Sequence, residues 1–133
     1  LEDLAKELDI EALPNRANLS YAMQAVVLAA KAHGLLAIDG VYKNLSDQSG
    51  FEQQCLQARQ LGFDGKSLIH PKTIDPCNRC FSPSADQIAK AQAIIQAFEQ
   101  AQSMGKSIAT WEGQMIEALH VEQARTLLGK AGL

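Results

Sequence analysis

The chain has no run of basic residues: its 12 Lys and Arg all stand apart from one another, against 15 Asp and Glu, for a formal net charge of −3. That removes the electrostatic footprint of a nucleic-acid binder. Long apolar runs are missing too. The stretch from Val26 to Ala30 is broken by Lys31 and His33, far short of the roughly 18 to 20 residues that a membrane span needs. Nucleic acid and membrane are therefore not expected partners. The chain opens Leu1-Glu2-Asp3-Leu4, with no initiator Met, no basic segment and no apolar leader, so no secretory signal is visible and further chain is expected upstream. Cysteine is scarce and odd in number, Cys55, Cys77 and Cys80, which fits reduced thiols in a cytoplasm better than a disulfide framework. Cys77 and Cys80 have the spacing of half a zinc site or a redox pair, but no second pair accompanies them, so ordinary thiols are the favoured reading.

What is present is globular. In 133 residues, 47% are hydrophobic and 20% charged, enough for one ordinary domain with its own core. Ala22, Val26, Val27, Ala29 and Ala30 recur at helical spacing and predict a helix over residues 21–33, stopped at Gly34. Residues 35–38, Leu-Leu-Ala-Ile, form a uniform apolar run ending at Asp39-Gly40, the pattern of a strand buried on both faces. Phe51, Cys55, Ala58 and Leu61 mark a second helix with Gly62 as a left-handed cap. A second strand is expected over residues 67–69, ending at His70-Pro71. Helix and strand alternating with short connections imply βα units and a parallel sheet.

Beyond residue 82 the pattern changes. Ser84 with Gln87 is a capping box opening a long helix to about Met104, where Gly105 stops it. Residues 107–113 read as a connection holding Trp111, and Val121, Ala124, Leu127 and Leu128 mark a terminal helix. Two βα units leave a parallel ribbon open at its edges and bare on its faces, so the rest of the sheet must come from elsewhere. A preceding part of the polypeptide, another chain and self-association are the three sources.

In parallel α/β folds, ligands gather at the carboxyl ends of strands. Asp39 and His70 fall there, and Asp3 would join them if a strand ended just before Leu1. Each has a plainer explanation: Asp39-Gly40 as a turn pair, Asp3 as a helix cap, His70 as a side chain satisfied by backbone; Pro71 also holds His70 extended, which fixes where its carbonyl and amide point. Lys66 follows Gly62 and Gly65, where backbone can approach a ligand closely. It reads equally as a phosphate partner or a solvated surface lysine.

The blocks Ala37-Ile38-Asp39-Gly40-Val41-Tyr42, Asp47, Gly50-Phe51, Ala58-Arg59, Leu61 to Lys66 and Ile69-His70-Pro71 carry a resemblance. Asn78, Phe81-Ser82-Pro83-Ser84, Met115-Ile116, Val121 and Ala124 continue it in register. Together they resemble the C-terminal half of the citrate lyase beta subunit and of its malyl-CoA and citramalyl-CoA lyase relatives. The resemblance implies an α/β fold. Residues 1–82 would be the last βα units of a TIM-type (β/α)8 barrel, and residues 83–133 a C-terminal helical extension serving as a lid or oligomerisation arm.

The chemistry implied is Mg2+-dependent, reversible cleavage of a 3-hydroxyacyl thioester of citryl, malyl or citramalyl type into an acyl thioester and an oxo-acid. Asp3 takes the place of a metal ligand. Asp39, Lys66, Ile69, His70 and Pro71 fall where the family binds CoA or the equivalent acyl-carrier arm. An upstream Arg and a metal-binding Glu of the family have no counterpart here, so the chain resembles an incomplete carbon–carbon lyase. Glu117 stands where relatives carry an Asp that acts as an acid–base group in a neighbouring subunit's site, which implies a homo-oligomer. Its reach is one methylene longer, and a misplacement of about 1 Å costs on the order of a hundredfold in rate. The alternative is a non-catalytic module that binds CoA or serves assembly.

Overall fold

The structure is a computed structural model and describes residues 1–132, which divide into two compact units, Leu1–Phe81 and Ser82–Leu133. The first unit is mixed α/β. Helix α1 (Glu2–Glu7) leads through a 3₁₀ turn to α2 (Ser20–Ala32), then strand β1 (Ile38–Asp39), α3 (Gln48–Leu61), β2 (Gly65–Lys66) and α4 (Ile74–Phe81). β1 and β2 are parallel, with Ile38 opposite Gly65 and Asp39 opposite Lys66. α3 is the crossover that a parallel pair requires. No closed sheet forms among the described residues.

Side-chain periodicity explains the core. On α2, Met23 and Val27 are buried one turn apart and meet Leu19, Ala37, Ala58 and Phe63. Phe51, Cys55 and Ala58 lie along the buried face of α3, and Phe51 and Cys55 pack with Cys77 of α4. Gly62 ends α3 at φ 96°, a left-handed conformation that a Cβ would strain. A Cβ there would also stand 3.1 Å from the Val27 side chain.

The strands sit differently from their expected places. The expected strand over residues 35–38 is reduced to Ile38–Asp39, and only Ala37 and Asp39 are buried. Leu35, Leu36 and Ile38 are exposed, because a two-stranded sheet flanked by α2 and α3 covers one face only. β2 is Gly65–Lys66 rather than residues 67–69. Pro71 opens a 3₁₀ turn, Pro71–Thr73, that leads into α4. The sequence left α4 unassigned, since Pro76 masks it; in a first helical turn a proline removes no intrahelical bond.

The second unit consists of α5 (Ala85–Ser103), a hairpin of β3 (Ala109–Trp111) and β4 (Gln114–Ile116), and α6 (Ala118–Lys130). The capping box of Ser84 and Gln87 is present, with the Gln87 amide donating to Ser84 Oγ at 3.2 Å and the Ser84 amide to Gln87 Oε1 at 2.9 Å. The hairpin replaces the connection expected around Trp111. Its turn residues Glu112 and Gly113 both have positive φ, 48° and 76°, as two-residue hairpins require. Phe98, Ala109, Ile116 and Val121 form the core. No helix among the described residues is long and apolar enough to cross a membrane.

Candidate functional site

The carboxyl ends of β1 and β2 hold a buried ion cluster. Asp39 closes β1 and Lys66 sits in register beside it on β2, so both side chains fall on the face covered by α3. Lys66 Nζ donates to Asp39 Oδ2 at 2.7 Å, to the Gly40 carbonyl at 2.6 Å and to Gln54 Oε1 at 3.3 Å. Those three acceptors use the ammonium's three protons. Its side chain is fully enclosed, with 0% relative exposure. Lys66 is thus neither a solvated surface lysine nor a free phosphate partner; direct contact with a phosphate would require it to leave Asp39.

The third member is Arg16, which the sequence reading missed. Its Nη1 donates to both Asp39 oxygens, at 2.9 and 3.0 Å, and Nε and Nη2 donate to Gln57 Oε1 at 3.0 and 2.8 Å. Nη2 also reaches the Gln54 carbonyl at 3.3 Å. Gln54 and Gln57 are one helical turn apart on α3, so one face of that helix serves the cluster while Phe51, Cys55 and Ala58 face the core. Arg16 has φ 53°, ψ 27°, a left-handed backbone that costs a residue with a Cβ about 1 to 2 kcal/mol. The bonds of its guanidinium hold it there. No local pattern marks Arg16, because its partners lie 23 and 41 residues away.

One carboxylate between two cations leaves an excess positive charge, offset by the carbonyl oxygens of Gly40 and Gln54 and the side chains of Gln54 and Gln57. Beside it lies a cavity of about 320 Å³ whose walls include Asp3, Arg16, Leu19, Gly40, Val41 and Gln54. Glu2 lines the same cavity and forms an ion pair with Lys43. Asp3, in the first turn of α1, is exposed. The structure therefore brings Asp3 together with the Asp39-Gly40 end of β1.

Ile69, His70 and Pro71 are not among that cavity's lining residues. Ile69 and His70 are exposed. His70 caps the 3₁₀ turn: Nδ1 accepts from the Lys72 amide at 3.2 Å and its carbonyl accepts from Thr73 Oγ1 at 2.6 Å. Beside this turn, Asp47 caps α3 by accepting from the Gly50 amide at 2.8 Å, and Tyr42 donates to Asp47 Oδ2 at 2.8 Å. The Gly50 amide and then Tyr42 hold the Asp47 carboxyl below its ordinary range, and the same bond raises the Tyr42 phenol. A Cβ at Gly50 would collide with both side chains.

Glu117 belongs to the second unit, where it is exposed at the start of α6 and its amide donates to His120 Nδ1 at 3.0 Å. The cysteines are free thiols. Burial pushes Cys55 up to about 12, and raises Cys77 and Cys80 as well, so none is a ready thiolate nucleophile.

The sequence profile of the HpcH/HpaI aldolase/citrate lyase family matches residues 1–71. The chain is 43% identical over 97% of its length to a (3S)-malyl-CoA thioesterase of Cereibacter sphaeroides, covering 45% of that protein. It is 35% identical over 98% of its length to the citrate lyase subunit beta of Haemophilus influenzae, again covering 45%. Among solved structures, the CitE protein of Mycobacterium tuberculosis, in complex with magnesium, acetoacetate and coenzyme A, superposes with a TM-score of 0.77 at 28% identity. That match covers 99% of this chain and 50% of the other. The chain thus spans about half the length of the relatives it matches. With the profile, the curated relatives and the fold in agreement, this chain belongs to the HpcH/HpaI aldolase/citrate lyase family.

Proposed function

We propose that the chain carries part of the active site of a carbon–carbon lyase that reversibly cleaves a 3-hydroxyacyl thioester of citryl, malyl or citramalyl type. The products are an acyl thioester and an oxo-acid. The observation that carries this reading is the cavity lined by both Asp3 and Arg16, with Gly40 at the carboxyl end of a parallel strand pair. The cavity's charged side chains are Glu2, Asp3 and Arg16, two carboxylates beside one guanidinium, so a carboxylate-bearing thioester would enter together with a cation. Asp3 is a hard oxygen donor of the kind Mg2+ takes. No group of three or more His, Cys, Asp or Glu that could hold a metal exists among the described residues. Asp3 therefore fits as one ligand, with the others drawn from substrate, water or further protein. Mg2+, when bound, polarises the oxo group.

The residues of this chain bind and orient. Arg16 and Lys66 hold Asp39, and Lys66 also donates to the Gly40 carbonyl, fixing the strand end that lines the cavity. Ile69, His70 and Pro71 offer an exposed turn after β2 for the CoA or acyl-carrier arm, and Asp39 and Lys66 support that edge from beneath. Glu117 is the acid–base candidate, delivered from a neighbouring copy in a cytoplasmic homo-oligomer. In this reading residues 1–82 are the last βα units of a TIM-type barrel, and residues 83–133 the helical lid or arm.

The test is malyl-CoA offered to the chain together with polypeptide covering the remainder of the family fold. Mg2+-dependent release of an oxo-acid, lost in Asp3→Ala, is the expected result. A second reading follows from the name of the 43% identical relative, a thioesterase. Hydrolysis would release free CoA thiol and no oxo-acid, so a thiol assay beside an oxo-acid assay separates the two. CoA binding with neither product would leave a binding or assembly module and end the lyase reading.

A further inference from the structure

We infer that the second unit binds a small amphipathic carboxylate, a carboxyl group on a short hydrocarbon tail, in the cavity between α5, the β3–β4 hairpin and α6. The cavity measures about 360 Å³, at the small end of the roughly 300–1,000 Å³ that ligand pockets span. Helical spacing builds two of its walls. Gln87, Ala91 and Ile94 on α5 and His120, Ala124 and Leu127 on α6 recur at intervals of three or four residues, so each helix turns one face to the cavity. The hairpin supplies a third wall with Trp111, which lies opposite Gln114 in the ladder, and with Met115.

The lining joins hydrocarbon to positive charge. Ile94, Trp111, Met115 and Leu127 are its large apolar members, and Met115 is 57% exposed. Lys90 is the one charged side chain that the lining holds among the described residues, and no Asp or Glu is there, in a chain with 15 Asp and Glu against 12 Lys and Arg. The Lys90 ammonium lies 5.4 Å from the centre of the Trp111 ring. No carboxylate forms an ion pair with it among the described residues. A cation–π contact and a solvated ion pair are of similar strength, so the ammonium can turn from the ring to an anion.

His120 adds a second donor of fixed direction. Its Nδ1 accepts from the Glu117 amide at 3.0 Å, so in the neutral ring the proton sits on Nε2. Gln114 and Gln123 contribute side-chain amides to the same lining. Donors beside hydrocarbon, with no competing carboxylate, suit a ligand that ends in a carboxylate and carries an apolar tail. The same lining disfavours a metal ion or an amine, and a ligand with several phosphates would meet only one full positive charge.

Trp111 is the chain's single tryptophan, so its fluorescence reports on this wall. The experiment titrates the chain with hexanoate and, as the uncharged counterpart, with hexanamide. A saturable change at millimolar hexanoate is expected, with hexanamide binding about two- to fivefold more weakly, the range of an exposed charge pair. Lys90→Gln should remove that difference. Lys106→Gln, at a lysine of the same unit outside the lining, should leave it. Gln123→Glu places a carboxylate in the wall at an exposed position; it should weaken hexanoate and spare hexanamide, and it guards against a folding defect in the Lys90 variant. Circular dichroism confirms that each variant is folded, and heteronuclear NMR should show the His120 Nε2 resonance moving with hexanoate. No saturable response, equal binding of the two ligands, a difference that survives in Lys90→Gln, or resonance shifts that spare His120 would each overturn the inference.

Discussion

Among the described residues, 1–81 bury charged as well as apolar side chains, while 82–132 bury apolar side chains alone. Arg16, Asp39 and Lys66 are buried in the first unit, and Leu35, Leu36 and Ile38 are exposed there. The second unit buries Ala91, Phe98, Ala109, Ile116, Val121 and Ala124. Its order is sequential: helix, tight hairpin, helix. In the first unit, Arg16 is tied to residues 23 and 41 positions away. A buried ion cluster is a poor source of net stability, since desolvation offsets most of the attraction, and its value lies in geometry. The first unit thus spends burial on fixing a strand end beside a cavity, and the second on holding itself together.

The largest expected effect breaks the cluster. Asp39→Ala leaves two buried cations without their carboxylate and should cost about 3–5 kcal/mol, read by urea denaturation, with the loss of amide protection falling within residues 1–81. A change below about 1 kcal/mol would erase the contrast between the units. Next comes the cap of α5. Ser84→Ala removes a hydrogen bond from an otherwise local scaffold and should cost about 1 kcal/mol, whereas Ser84→Gly should cost only a few tenths. The smallest effect is that of Asp47, whose native carboxyl is held below its ordinary range. A depressed carboxyl stabilises above its unfolded pKa and loses that contribution as pH falls through the lowered native one. Asp47→Asn should therefore narrow the stability gap between neutral and acid pH, and thermal melts from pH 7 to 2 that run parallel in both proteins would contradict it.

Much of the scaffold was legible in local pattern. Gly62, the Ser84–Gln87 box and the periodicity of α2, α3 and α5 announced themselves, since caps and helical stripes depend on neighbours within one turn. Strand positions slipped by about two residues, because an apolar run such as 35–38 marks a strand without showing how much of it finds a partner. The hairpin at Trp111 was hidden by its length, although Glu112-Gly113 was a readable turn signal. Of the candidate site, the importance of Asp39 and Lys66 could be suspected from their places at strand ends, but not their bond to each other.

By itself the sequence determined the order of the longer helices α2, α3, α5 and α6, the absence of any basic footprint and, through its spaced blocks, the family resemblance. These depend on residue type and short spacing, which the chain carries without folding. Only the tertiary structure decided that Lys66 is sealed against Asp39, that Arg16 completes the cluster, and that Asp3 shares a cavity with Gly40. Each of those joins residues far apart in the chain, which only the packing of the folded elements brings together.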